Sequence, residues 1–230
     1  MNWQRGKVTV TATHHGETLT VSAPKAIVTL PLGVLQLAPQ SPHAVRFEPA
    51  LTQKREAFEG LAVGPVIRVI LRFRDAFWET LDAGRYKDGA FFHAPDATFP
   101  TFWTPLPVRA PVLVAWSAGP AASRMSGLDR AELVNRALSS LDIIFGRRAN
   151  LREGFEGAHL HDWQADPFSC GAYSYVTAGG ASARKALAKP LQDTLFFAGE
   201  AADTEGESGT VAGALQSGER AAREVMKSLT

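Results

Sequence analysis

Near the N-terminus, apolar and polar residues alternate with a period of two, as they do along half-buried strands. Val8–Ala12 and Leu19–Val21 are β-rich runs on either side of His14-His15-Gly16, a spacing that predicts a hairpin with a polar tip. Ala26–Leu30 is a third run, stopped by Pro31 and Gly33, and Pro39 to Pro49 is a proline-punctuated connector. Thr52–Leu61 has Ala57, Phe58 and Leu61 at helical spacing. Val66–Phe73 alternates again, with Ile67, Val69, Leu71 and Phe73 on one face and Val66, Arg68, Ile70 and Arg72 on the other.

Further strands are expected between residues 89 and 117, the clearest being Val112–Trp116. Asp129–Phe145 is the strongest helix, with Leu133, Ala137, Leu138, Leu141, Ile144 and Phe145 in one stripe and Gly146 as its stop. His159–Trp163 reads as a strand before the Asp166-Pro167 turn, and Leu195–Ala198 as a buried strand. Thr210–Met226 reads as a helix with Val211, Ala214, Leu215, Ala222, Val225 and Met226 inward. Strands and helices in this order predict an α/β or mixed α+β fold, without internal repeats.

Composition narrows the class. Of 230 residues, 45% are hydrophobic and 20% charged, the averages of a globular protein. Lys and Arg number 24 against 23 Asp and Glu, so no strong field favours nucleic acid or an anionic membrane. The single cysteine, Cys170, excludes an internal disulfide framework and a multi-cysteine metal site. No apolar window has the length of a membrane span or a signal peptide, and the cytoplasm is the expected compartment. His159 and His161 share a face of the expected strand, but without a third ligand they predict no metal site.

The stretch with most chemistry is Leu195-Phe-Phe-Ala-Gly-Glu200, a polar loop, then Gly209-Thr-Val-Ala-Gly-Ala-Leu-Gln-Ser-Gly218. A buried strand ends on a glycine, an acid follows, and a glycine introduces a helix. Helix N-termini present unpaired N–H groups and partial positive charge, which suit an anion or a ring carbonyl gaining negative charge. Gly213 and Gly218 each cost the helix about 1 kcal/mol relative to alanine. Close approach by another backbone or by a flat ligand accounts equally for that cost.

This ending resembles the C-terminal flavin-binding motif of the flavin-containing amine oxidases, which include monoamine, polyamine and spermine oxidases and the lysine-specific histone demethylases. KAIVTLPLGVLQ, GPVIRVILRFRDAFW and WQADPFSCGAYSYV resemble three further blocks of that family, in its order and roughly its spacing. The family's opening βαβ unit with G-x-G-x-x-G, which binds the FAD pyrophosphate, has no counterpart here. The resemblance is therefore to the family's C-terminal half. A fragment, one chain of a split pair and a decayed remnant all fit it. It implies a partial FAD-binding domain from residues 1–42 and 190–230, and a mixed-sheet substrate domain over 43–189.

The resemblance also implies roles. Glu200, after Gly199, falls where the family's acid bonds the sugar-alcohol side of the flavin. Gly209, Thr210 and Val211 fall at the helix start facing the flavin N1–C2 region. Val8 matches a contact to the adenine end, and Trp163 a tryptophan close to the isoalloxazine. Tyr173 matches one aromatic wall of the amine cage. The other wall, a tyrosine in several oxidases, is Thr210 here. Arg68 stands where the family commonly has a lysine that holds a water against flavin N5. Covalent members carry a cysteine before the cage tyrosine, where this chain has Ala172, so non-covalent FAD is implied.

Two functions follow. One is hydride transfer from the amine-bearing carbon of a small amine to flavin N5, with reoxidation by oxygen. The other is a non-catalytic flavin-fold module. The chain alone is expected to bind FAD weakly or not at all, to need a complementing N-terminal FAD-binding chain, and to self-associate as a homodimer through apolar surface.

Overall fold

The computed structural model of the chain describes residues 1–146 and 150–229. The fold is α/β and divides into two compact units, Met1–Gly64 with Gln164–Thr230, and Pro65–Trp163.

The first unit opens with a three-stranded antiparallel sheet of β1 (Asn2–Gln4), β2 (Lys7–His14) and β3 (Glu17–Ala23). His15 (φ 48) and Gly16 (φ 81) form the tip, and positive φ at both central residues matches the strand twist of a two-residue hairpin. Next, β4 (Ala26–Val28) pairs in parallel with β12 (Leu195–Phe197), a pairing that crosses most of the chain. Leu195 and Phe197 join one apolar cluster and Phe196 another, so β12 is buried on both faces, as its unbroken apolar run requires. The short helix α1 (Leu32–Leu35) follows Pro31. After it, α2 (Arg55–Glu59) leads to β5 (Leu61–Val63), which pairs with β11 (Ser174–Val176). Helix α6 (Ala183–Ala188) packs on α2.

These last pairings explain where the division falls. The expected boundaries at 42 and 190 assign 43–64 and 164–189 to the substrate domain. In the structure β5 pairs with β11 and α2 packs on α6, so both segments belong with the parallel strands.

The second unit is a five-stranded sheet in the order β10 (Phe155–Leu160), β6 (Val66–Phe73), β9 (Val112–Ala118), β8 (Thr101–Trp103), β7 (Phe91–His93). Each pairing is antiparallel, where a mixed sheet was expected. Its predicted inner face, Ile67, Val69, Leu71 and Phe73, is buried against Leu133, Ala137, Leu138 and Leu141 of α4 (Arg130–Phe145). Asp129 caps α4 by accepting from the Glu132 N–H at 2.8 Å, and Gly146 ends it at φ 74. Two short helices, α3 (Gly119–Arg124) and α5 (Leu151–Gly154), complete the unit. The strand expected at His159–Trp163 begins and ends earlier, because β10 follows the hydrogen-bonding edge of β6 and leaves it after Leu160.

The last helix, α7 (Val211–Lys227), corrects an expectation. Its buried residues are Gly213, Ser217 and Ala221, whereas Val211 (80% exposed), Leu215 (66%) and Met226 (66%) point outward. Small residues at i, i+4 and i+8 let the helix lie close to β12 and its following loop. A Cβ on Gly213 would stand 2.2 Å from the backbone oxygen of Glu207. Val211, Leu215 and Met226 therefore occupy the opposite face, while Val225 packs on Phe196, Ala198 and Ala221 as expected. Among the described residues no helix is long and apolar enough to cross a membrane.

Candidate functional site

Because β4 and β12 run parallel, their carboxyl ends open on the same side, the usual place for a ligand crevice in such sheets. A cavity of about 270 Å³ lies there. It is lined by Thr29 to Leu32 after β4, Ala198 to Ala202 after β12, and Ala172 and Ala214. Among the described residues, Glu200 is the one charged residue that lines this wall.

Glu200 ties three segments together. Its Oε1 accepts from the Ser174 N–H at 3.0 Å, and its Oε2 accepts from the Ser174 hydroxyl at 2.7 Å and the Gly209 N–H at 2.9 Å. Arg184 on α6 stands 3.9 Å from Oε2 and donates to the Ser174 hydroxyl (2.8 Å) and carbonyl (3.2 Å). One carboxylate therefore fixes β11 to the loop entering α7. Tyr173, next to Ser174, lies against Gly209, where an added Cβ would be 3.9 Å from its ring. Gly209 itself adopts φ +78, a conformation that costs a residue with a side chain.

The start of α7 is built by its own cap. Thr210 Oγ1 accepts from the Gly213 N–H at 3.0 Å, and the hydroxyl donates to the Glu207 carbonyl. The buried Asp203 carboxylate gathers the N–H groups of Glu205, Gly206 and Glu207 at 2.8–3.2 Å, holding the preceding loop. The N–H groups of Val211 and Ala212 have no acceptor within the helix, so the positive end of the dipole is available to a ligand. Behind the strand end, the Ser217 hydroxyl accepts from the Gly199 N–H and donates to the Gly199 carbonyl, both at 2.8 Å.

The structure thus gathers Tyr173, Gly199, Glu200, Gly209, Thr210 and Val211 in one region of the first unit. Val8 belongs to that unit but is buried in its apolar cluster (2% exposed). Arg68 and Trp163 belong to the second unit. Arg68 is exposed on the outer face of β6, opposite Trp116 of β9, and Trp163 is 37% exposed with its ring edge-on to His161 at 4.5 Å. Ser174, Arg184 and Ser217 are structural parts of the site that sequence reading does not single out. Their hydrogen bonds reach 10 to 26 residues away, and no local pattern encodes such partners.

The residues present fit a flavin on one side only. Glu200 reaches the cavity wall, and its Oε1 accepts one hydrogen bond where a carboxylate oxygen can take two, leaving a place for a hydroxyl. The dipole and free N–H groups of α7 suit a ring carbonyl that gains charge. The G-x-G-x-x-G turn of the usual pyrophosphate cradle is not in the sequence.

Comparison with known proteins agrees with this arrangement. Residues 1–226 match the family model described as flavin containing amine oxidoreductase. The chain is 35% identical over 201 residues to the Arabidopsis thaliana lysine-specific histone demethylase 1 homolog 3, covering 85% of this chain and 12% of that protein. It is 31% identical over 221 residues to the Homo sapiens lysine-specific histone demethylase 2, covering 89% and 24% respectively. Among solved structures, putrescine oxidase bound to putrescine superposes with a TM-score of 0.76 at 19% identity. That match covers 98% of this chain and 47% of the oxidase. The cyclohexylamine oxidase of Brevibacterium oxydans gives 0.76 at 20% identity, covering 99% and 47%. The chain spans less than half the length of each of these proteins, and it belongs to the flavin containing amine oxidoreductase family.

Proposed function

We propose that this chain is the flavin- and substrate-facing half of an FAD-dependent amine oxidoreductase, completed by a polypeptide that supplies the pyrophosphate site. The observation that carries the reading is the cavity at the carboxyl ends of β4 and β12, with Glu200 on its wall and Glu200 in turn holding Ser174, the neighbour of Tyr173, and the loop entering α7. When bound, the flavin would accept a hydride from the amine-bearing carbon and pass its electrons to oxygen. The chain's own residues bind and orient. Glu200 accepts a sugar hydroxyl, and the first N–H groups of α7 stabilise negative charge on the ring carbonyl. Tyr173, 40% exposed, presents an aromatic face to an amine.

Arg68 stands where the family commonly has a lysine, and its planar guanidinium fork would hold a water differently from a lysine ammonium. The absence of Cys before Tyr173 makes attachment non-covalent. The exposed apolar stripe of α7 is the surface we assign to the completing polypeptide.

A second reading, a non-catalytic flavin-fold module, is favoured by one feature. Thr210 replaces an aromatic wall, and its hydroxyl is committed to capping α7. The test is reconstitution with the completing polypeptide and FAD, followed by a panel of amines without oxygen. Bleaching of the oxidised flavin band, then peroxide on admission of air, supports the oxidoreductase. A stably bound flavin that no amine bleaches supports the module. Submicromolar FAD binding by this chain alone would contradict the need for a completing half.

A further inference from the structure

A second cavity lies far from this chemistry along the chain, within the second unit. A cleft of about 720 Å³ runs between α4 and β10, the terminal strand of the five-stranded sheet. Its apolar lining is Val134, Leu138, Phe155 and Ala158, and no acidic residue contributes to it. Two arginines frame it. Arg130, the first residue of α4, donates to the Ala158 carbonyl, and Arg152 on α5 donates to the Asn135 Oδ1 at 3.1 Å. Neither pairs with a carboxylate among the described residues. Of the acids on the same elements, Glu132 pairs with Arg136 and Glu156 with Arg72.

The edge of β10 is open to main-chain pairing. The Ala158 carbonyl faces the cleft, because Arg130 reaches it, and in an extended strand the N–H of a residue points to the same side as its carbonyl. After the irregularity between Phe155 and Gly157, the regular part of β10 is residues 157–160, which span roughly 13 Å at the strand rise of about 3.3 Å. That length accepts about four residues of a partner strand.

We propose that the cleft between α4 and β10 is a docking site for an extended acidic peptide, which adds to the β10 edge and places carboxylates on Arg130 and Arg152. Main-chain pairing supplies the fixed register, and the apolar floor takes the side chains directed inward. A carboxylate on each guanidinium replaces a neutral acceptor with a charged one, which makes the stronger, shorter bond. The inference is independent of the flavin reading, since every residue it uses lies in the second unit.

The test is fluorescence anisotropy of the full chain with a fluorescein-labelled hexapeptide of alternating Glu and Val, at low salt. A Lys–Val hexapeptide and a Glu–Val hexapeptide N-methylated at alternate amides serve as controls. The Glu–Val peptide is expected to bind about tenfold or more tightly than either control, and to weaken as salt rises. The Arg130→Ala/Arg152→Ala variant, with an unchanged far-ultraviolet circular dichroism spectrum, should lose about tenfold or more. Ala158→Pro, which removes an edge N–H without touching either charge, should also weaken binding. No binding, equal binding of the Lys–Val or N-methylated peptide, or indifference to the double substitution would each overturn the proposal. Displacement of the peptide by octanoate at equal carboxylate concentration would replace it with a small-anion pocket.

Discussion

Replacing Glu200 with glutamine removes a charge while keeping shape, and the geometry sets the cost. The carboxylate receives only donors: Ser174 N–H, Ser174 hydroxyl and Gly209 N–H, at 3.0, 2.7 and 2.9 Å. An amide offers one oxygen and one NH₂ group. With nitrogen at the Oε1 place it confronts the Ser174 N–H, and at the Oε2 place it confronts the Gly209 N–H. The serine hydroxyl can rotate to accept, but a backbone N–H cannot. One backbone donor is therefore orphaned, at about 1–3 kcal/mol, and the remaining bonds lose their charge assistance, roughly another 1 kcal/mol. Arg184, 3.9 Å away and partly exposed, adds no more than about 1 kcal/mol. The sum is about 2–5 kcal/mol, enough to lower the folded-to-unfolded ratio of the first unit about thirtyfold or more.

The assay is urea unfolding of Glu200→Gln beside the unmodified chain, with amide hydrogen exchange at Ser174 and Gly209 as the local readout. Faster exchange at one of these two amides, together with the stability loss, is expected. A change below about 0.5 kcal/mol with both amides unaltered would show that the carboxylate is not the joint between β11 and α7.

Three further outcomes follow from other parts of the fold. Lys54 is 1% exposed and donates to the Ala186, Leu187 and Lys189 carbonyls at the end of α6; burial, then the charges of Lys189 and Arg220, lower its pKa from 10.5 to about 8. The folded state therefore releases this proton before the unfolded state does, so stability relative to Lys54→Met should rise between pH 8 and 10.5, by at most about 3 kcal/mol, in urea melts across that range. Gly213→Ala should destabilise by about 1–3 kcal/mol in spite of better helix propensity, whereas Gly218→Ala, whose Cβ meets nothing within 4 Å, should stabilise by up to about 1 kcal/mol in the same melts. The chain alone should self-associate in light scattering, and Leu215→Lys/Met226→Lys should render it monomeric; a wild-type chain monodisperse as monomer at every concentration would count against this use of the α7 face.

The parts of the fold legible in the sequence are those set by short-range chemistry. The span of α4 follows from Asp129 as cap, Gly146 as stop and an apolar stripe that faces a single sheet. The alternation of β6 sorts its two faces because one is fully buried while the other carries the exposed Arg68 and Arg72, with only Val66 at the strand start buried there. The same reasoning fails in part on α7, where periodicity places Val225 correctly but turns Val211, Leu215 and Met226 inward. Pattern reading assumes that large apolar residues seek the nearest core. Here the nearest surface is a strand and a loop approached so closely that only Gly213, Ser217 and Ala221 fit. The parallel pairing of β4 with β12 is equally invisible locally, because the partners are separated by most of the chain.

The site divides along the same line. Gly199, Glu200 and Gly209 stand out because a strand that ends on glycine and a helix introduced by glycine are rare local arrangements with a geometric purpose. Gly213 stands out for the same reason, and of the two explanations open to it the structure supplies the approach of another backbone, that of Glu207. What the motif does not disclose is that Glu200 serves the protein before it serves any ligand. Three of its acceptor positions hold Ser174 and Gly209, and the fourth remains for the cavity. A residue placed this way ties ligand binding to the position of Tyr173. Loss of the carboxylate would then disturb the aromatic wall and the helix start together, rather than remove one contact from an otherwise intact site.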